Sequence, residues 1–405
     1  MAIAYYLYRT VANINGCAEI ELSKVRVPPL LLAIAAPYLY DRWLALSVLW
    51  ANRPAVFKPI YNIKQHEIKF HDRIRNCEDV VLDEATGLAI LSCDPGRDRW
   101  NTVMGTFRPD KGMTNGALYI YDYGNPDLSD DEALKLLTLE NFNTDDFHPL
   151  GIEYEVSTST LYVVNHAQSG SVIEGFKLSP TSHTATHIKT VKHPLISAPN
   201  SIHALGNNKI FFTNDHYLQA RMSPLLSKIE TFAGIPIGSV VYIDLDAPDT
   251  AKTVARLPFA NGITMLNSTT LAVASSSKTG VYFYEVMPSY DLKSKGFVRT
   301  PSGVDNISVD SNGTLLMAGH PFAPSLMKVS EGRVNCFPDS ELEEERKACE
   351  CSAPSWAAEW SHDKGLKELY KDYGFCSSSM AVRDIGRGLG MVSGLYDRGL
   401  MIFKE

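Results

Sequence analysis

No CxxC pair occurs among the seven cysteines of this 405-residue chain, which argues against a zinc ribbon or finger. Basic residues are in deficit, with 38 Lys and Arg against 46 Asp and Glu for a net charge of −8. A nucleic-acid surface needs a basic stripe, so no nucleic-acid partner is expected. Strict internal repetition is not visible, which argues against WD40-type repeats. The composition, 45% hydrophobic and 21% charged, excludes dominant disorder and a polytopic membrane protein, and leaves enough apolar material for a large core. A mildly acidic protein is a natural host for cations.

Cys336, Cys349 and Cys351 cluster in a polar stretch. They fit one or two disulfides in an oxidising compartment, or free buried thiols. The odd total leaves at least one cysteine unpaired within a monomer. Residues 28–50 read PPLLLAIAAPYLYDRWLALSVLW, with Asp41 and Arg42 as the only charges and Lys24 and Arg26 just before. A hydrophobic helix over 27–51 suits a signal anchor or a membrane-associated, interfacial segment. Against a full span, each mid-helix charge costs about 2.5–3.5 kcal/mol, and Pro37 interrupts the helix. A hydrophobic cap on the domain is the remaining reading. Residues 1–26 show no assignable pattern.

Beyond residue 51 the pattern is of strands. Short runs rich in Val, Ile, Tyr and Phe, such as 80–82, 88–92, 161–164, 209–213, 239–244, 270–275 and 389–393, are bounded by Gly, Asn, Asp or Pro. Helical spacing is seen over His216–Phe232 and Asp363–Tyr373. So many short strands are too many for one sandwich and predict an all-β fold, a β-propeller over 52–405. A segment near 336–374 reads as an insertion, either a lid or a surface excursion.

Several polar residues stand where strand pattern asks for apolar ones: Glu78-Asp79 before Val80, Asn200 ending ISAPN, and Asp305-Asn306 inside GVDNISVD. Each alone fits turn chemistry. Together they supply carboxylates and amides, the hard oxygen donors that calcium takes six to eight of. Propeller loops converge on a central channel, where such distant residues can meet.

In CEDVVLDEATGLAILSC (77–93), FHPLGIE (147–153), LYVVNH (161–166), FFTNDHY (211–217), FANGI (259–263), VDNISVD (304–310) and GHP (319–321), the chain resembles the paraoxonase/arylesterase family. CDPGRDRWNTVMGTF (93–107) is most similar to its fungal branch. The resemblance implies a six-bladed propeller with calcium in its central tunnel, hydrolysing small hydrophobic lactones or esters. It places the catalytic calcium ligands on Glu78, Asn200, Asp305 and Asn306, with a further family asparagine falling on Ser239. A second, structural ion would use Asp79, the Ile152 carbonyl and Ser201, where the family has an aspartate.

Of the family's histidine dyad the chain keeps His166, but Leu150 stands where the other histidine belongs. His148, two positions earlier, is either a substitute or a rim or surface histidine. The expected catalytic groups are therefore Glu78 and His166, with His216 and His320 lining the substrate pocket. The family disulfide joining the two chain ends is absent, since the last strand ends LMIFKE, so closure must rely on strand pairing or on other cysteines. Loss of the dyad histidine keeps open a non-hydrolytic metal-dependent cyclase or isomerase, or a ligand-binding propeller. Sequons at Asn267 and Asn312, with the 28–50 run, point to the secretory pathway; a third, at Asn306, overlaps an expected ligand and is discounted.

Overall fold

LYVV (161–164) and SVVYI (239–243) are apolar at successive positions, which a strand satisfies when both its faces are covered. The computed structural model, which describes residues 29–109 and 113–404, covers them by stacking sheet against sheet. Described residues from Ile60 onward are mostly β, in six successive groups of four antiparallel strands. The inner strand of each group is β1 (Arg75–Asp83), β2 (Pro149–Glu155), β3 (Pro199–Gly206), β4 (Ala260–Asn267), β5 (Gly303–Val309) and β6 (Ser378–Asp384). The second group shows the pattern: β2 pairs with Thr160–Asn165, which pairs with Val172–Ser179, which pairs with Thr184–Val191.

Each inner strand packs on the next, and β6 packs on β1. An apolar core fills each interval between groups. Ile152, Val163 and Phe176 meet Ile90 and Ile120 of the first group, while Tyr162 and Val164 meet Ile202, Phe212 and Val241 of the third. The residues that face opposite ways along one strand thus serve two different cores.

The last group contains a strand from before the first. Gln65–Lys69 pairs antiparallel with Leu400–Lys404, Gln65 opposite Lys404 and Lys69 opposite Leu400. Strand pairing therefore ties the beginning of the β region to its end, as the absent family disulfide requires. The cysteines do other work: Cys77 bonds Cys93, Cys336 bonds Cys349, and Cys351 bonds Cys376. Cys17 lies outside the described residues.

A bulge recurs in every group. The register of the inner strand against its neighbour shifts between Cys77 and Asp79, Pro149 and Ile152, Pro199 and Ile202, Ala260 and Ile263, Val304 and Ile307, and Ser378 and Met380. A bulge bends its strand and re-aims the side chains it carries. Glycine lets adjacent bulges touch: a Cβ on Gly151 would lie 2.2 Å from the Asn200 carbonyl oxygen, and one on Gly262 would lie 2.6 Å from Asn306 Cα.

Four expectations are corrected. Asp363–Tyr373 is not helical; it lies in the strand Gly365–Cys376, where Leu369 and Tyr370 are buried and the tyrosines and phenylalanine favour extended backbone. The span 336–374 is not one insertion, because Pro354–Ser361 and Gly365–Cys376 are the third and fourth strands of the fifth group. Trp356, fully buried, packs with Met317 and Ala272 between groups. The excursion is the stretch before them. At the N-terminus, helix α1 (Pro29–Ala51) is present, but among the described residues no helix is long and apolar enough to cross a membrane. The spanning signal anchor is therefore not supported; the unassigned segment 1–26 lies outside the described residues. Contacts divide the chain between Trp43 and Leu44, and all the sheets belong to the second unit. The expected helix over His216–Phe232 is shorter, α2 (Pro224–Ala233), starting at Pro224 with Ser223 Oγ accepting from the Leu226 N–H and ending at Gly234, whose φ is +65°.

Candidate active site

The bulges carry the polar residues. Glu78, Asn200, Asn261, Asp305 and Asn306 are all buried at bulge positions of β1, β3, β4 and β5. Asn306 Nδ2 donates to Glu78 Oε1 at 2.6 Å, and Asn261 Nδ2 donates to Asp305 Oδ1 at 2.5 Å. Since Asp305 and Asn306 are chain neighbours, four of the five side chains form one linked set. The Asn261 and Asn306 nitrogens are spent, while Glu78 Oε2, Asn200 Oδ1, Asn261 Oδ1 and Asn306 Oδ1 have no hydrogen-bond partner.

Leaving buried oxygens unpaired is costly, about 1–3 kcal/mol each and more for a charged group. Burial, followed by the charges of Asp79 and Asp305, pushes the Glu78 carboxyl well above its ordinary range. Two carboxylates among three amide oxygens match the hard-oxygen donor set of a calcium ion, whose charge would relieve both penalties. No three His, Cys, Asp or Glu side chains are grouped to hold a metal ion by themselves among the described residues; amides supply most of this set.

Ser239, the expected fifth position, sits on the third strand of its group, where its hydroxyl accepts from Asn214 Nδ2 at 3.1 Å. Asn261 takes that place in the cluster, and it is the residue the sequence reading missed. A signal existed. Each bulge falls in a four-residue frame ending in an apolar residue: CEDV (77–80), PLGI (149–152), PNSI (199–202), ANGI (260–263), VDNI (304–307) and SSSM (377–380). Aligned this way, Asn261 matches Glu78, Asn200 and Asp305.

The second-ion residues face differently. Asp79, Ile152 and Ser201 line a cavity of about 180 Å³ to which all six inner strands contribute. Burial pushes Asp79 up to about 7, but its two oxygens already accept from the Val80 and Ile152 backbone N–H groups, each at 2.8 Å. In the same cavity Glu153 lies 3.2 Å from His203 Nδ1. Burial raises Glu153 to about 8, against an opposing bond from the Ala204 N–H, and lowers His203 to about 4. Burial thus disfavours the charged form of both groups.

The four histidines differ in freedom. His166 is buried with both nitrogens engaged: Nε2 must donate to the Pro199 carbonyl at 2.6 Å, leaving Nδ1 to accept from the Thr102 hydroxyl at 2.5 Å. Burial pushes its pKa down, outweighing the Pro199 bond. Leu150 packs in the core between the second and third groups. His148 is not a surface residue; it is buried, with Nδ1 3.2 Å from Asp94 Oδ2, and its backbone carbonyl, not its ring, meets His166, by accepting the N–H at 2.9 Å.

His216 and Asp215 line a pocket of about 220 Å³ with Thr102, Ile196, Ala220 and Arg221. Burial opposes protonation of His216, but the charge and hydrogen bond of Asp215 overcome it and raise the pKa. Its Nε2 lies 2.7 Å from the Thr231 hydroxyl. His320 belongs to the cluster itself. Its Nε2 donates to Asp305 Oδ2 at 2.9 Å, and its Nδ1 has no partner.

Residues 74–342 match the family model described as arylesterase, a range that contains every donor above. A serum paraoxonase/arylesterase 2 from dog is 32% identical over 224 residues, covering 53% of this chain and 59% of the relative. The human protein of the same name is 30% identical over 302 residues, covering 72% of this chain and 78% of the relative. The chain thus spans little more than half the length of the dog relative and 78% of the human one. Among solved structures, a candidate gluconolactonase superposes with a TM-score of 0.51 at 12% identity, over 85% of this chain and 94% of that one, a likeness of fold alone. With the model match extending over more than half its length, the chain belongs to the arylesterase family.

Proposed function

We propose that the chain is a six-bladed propeller that hydrolyses small hydrophobic lactones or aryl esters with calcium bound at Glu78, Asn200, Asn261, Asp305 and Asn306. The observation that carries it is the set of four buried, partnerless oxygens, one on Glu78 and three on amides, with Asn261 and Asn306 bonded to the Asp305 and Glu78 carboxylates. Six groups of strands whose inner members pack in a cycle support the propeller. A bound calcium ion would supply polarisation of the substrate carbonyl and stabilisation of the developing oxyanion. The second ion is not included, because Asp79 is its one carboxylate, with both oxygens held by backbone N–H groups, and no amide side chain joins it.

The chain's own groups divide the remaining work. With Glu78 Oε2 in the donor set, His320 Nδ1 is the acceptor left beside it. The Asp305 carboxylate fixes the tautomer by accepting the Nε2 proton, so Nδ1 carries the lone pair, the logic of a carboxylate-oriented base. Water adds its oxygen to the carbonyl carbon as His320 Nδ1 takes its proton. The acyl C–O bond breaks, and that proton passes to the departing alkoxide. His166, locked between Thr102 and Pro199, positions the loop after Asp98 and is not the base.

The three disulfides and the exposed Asn267 and Asn312 support entry to the secretory pathway, with both asparagines as glycosylation sites. Asn306, buried, is not an acceptor. A screen of lactones and aryl esters with chelator, and with calcium restored, tests the function. Turnover unaffected by chelation would refute the metal's part. The second reading, an isomerase or cyclase, is favoured by Leu150 in place of the dyad histidine; it requires substrate conversion without oxygen incorporated from labelled water.

A further inference from the structure

Arg97 lies in the segment CDPGRDRW (93–100) and is 3% exposed. Its Nη2 donates to the Pro149 carbonyl at 3.0 Å, while Nε and Nη1 have no partner. The nearby carboxylates are committed elsewhere. Asp98 is held by Arg75, Arg333 and Asn76, and Asp94 faces His148. The bond to Pro149 places the guanidinium at the bulge of β2, the strand packed against β1 and β3, whose bulges carry Glu78 and Asn200. Once Glu78 and Asp305 balance a divalent ion, as the function proposed above requires, neither is left to balance Arg97.

A buried guanidinium with open donors matches a carboxylate, which takes charge-assisted N–H bonds from it with defined geometry. A neutral substrate would leave the charge unmatched. We infer that Arg97 is a substrate-binding residue that recognises a carboxylate, so that the preferred substrates are esters or lactones bearing a second acid group.

The test uses the full chain loaded with calcium. Values of kcat/KM are compared for 4-nitrophenyl hydrogen succinate and for its neutral methyl ester. Calorimetry with monomethyl succinate and dimethyl succinate reads the same discrimination without turnover. Wild type should favour the anion by about 10–100-fold, the value of hydrogen bonds to a charged group. Arg97→Met should erase the preference, and Arg97→Lys should keep part of it. A preference that survives in Arg97→Met, or none in wild type, overturns the inference. Hydrolysis of both esters without discrimination refutes Arg97 recognition and leaves the hydrolase intact. Arg97-dependent binding of monomethyl succinate without any turnover supports the recognition and refutes the hydrolase. If Arg97→Met shows no cooperative melting, wild type and Arg97→Lys decide: equal affinity of wild type for the two succinates overturns it.

Discussion

Asn306 donates from Nδ2 to Glu78 Oε1 at 2.6 Å across 228 positions of sequence. The bond joins the bulge of β5 to that of β1 and turns the Asn306 oxygen away from any protein partner. Spending the amide nitrogens on carboxylates leaves the amide oxygens for a cation.

Calcium should therefore stabilise the fold. At a free concentration one hundred times Kd, a ligand bound only by the native state adds about 2.7 kcal/mol, so chelation should lower the melting temperature. Glu78→Gln and Asn261→Ala should each remove the calcium-induced rise, whereas Ser239→Ala should keep it. Metal analysis of the purified variants checks the same point. An Asn261→Ala protein that retains stoichiometric calcium with a wild-type shift would refute the donor set.

His320→Ala should lower kcat by about 100–10,000-fold, the usual worth of a general base, with calcium still bound. His166→Ala should cost less, and mainly stability, because it breaks the bonds to Thr102 and Pro199. Steady-state kinetics with a calcium assay on each variant separates the two. Equal losses, or a larger one at His166, would return the base to the residue that sequence resemblance selects.

How much of this was legible in the sequence turns on particular residues. The second and third strands of each group, such as LYVV and SVVYI, announce themselves because both faces are buried. Outer strands such as Lys252–Leu257 and Leu292–Arg299 expose one face and carry charges, so their pattern is weak. Gly365–Cys376 spaces its apolar residues as a helix would, and only pairing with Pro354–Ser361 settles it. Glu78, Asn200, Asp305 and Asn306, which the fold buries at the bulges, stood out by residue type and resemblance. Asn261 was missed because the bulge frame is four residues long and shares no identity across its six copies. The engagement of both His166 nitrogens depends on Thr102 and Pro199, which no local motif connects.

Glu153 gives a pH dependence of known sign. In the fold it holds its proton to about 8, against an ordinary value of 4.5. The native state thus binds more protons than the unfolded chain in that window, and stability falls as pH rises through it. His203, lowered to about 4 from 6.5, acts oppositely but only below 6.5. In chelated protein the melting temperature should therefore fall between pH 6.5 and 8, and Glu153→Gln should flatten that fall. A pH profile of the Glu153→Gln variant that superimposes on wild type would remove Glu153 as its source.

Closure of the ring supplies the final prediction. No disulfide among the described residues ties the sixth group to the early chain; the joint is the backbone ladder between Gln65–Lys69 and Leu400–Lys404, beside a shorter pairing of Leu389–Arg398 with β1, Gly394 opposite Cys77 and Arg398 opposite Arg75. Met401, fully buried, also packs with Val392 and Tyr370 between the fifth and sixth groups. Met401→Ala should cost about 2–5 kcal/mol, the range for emptying a buried methionine site. Glu67→Ala, on the exposed partner strand, should change stability by no more than about 0.5 kcal/mol. Deleting 400–405 removes the ladder altogether and exposes the edges of both Gln65–Lys69 and Leu389–Arg398. Urea unfolding should then lose its single cooperative transition, because neighbouring cores share strands and the last interval has lost one wall. A truncated protein that unfolds with the wild-type midpoint and slope would show that the ring does not depend on this joint.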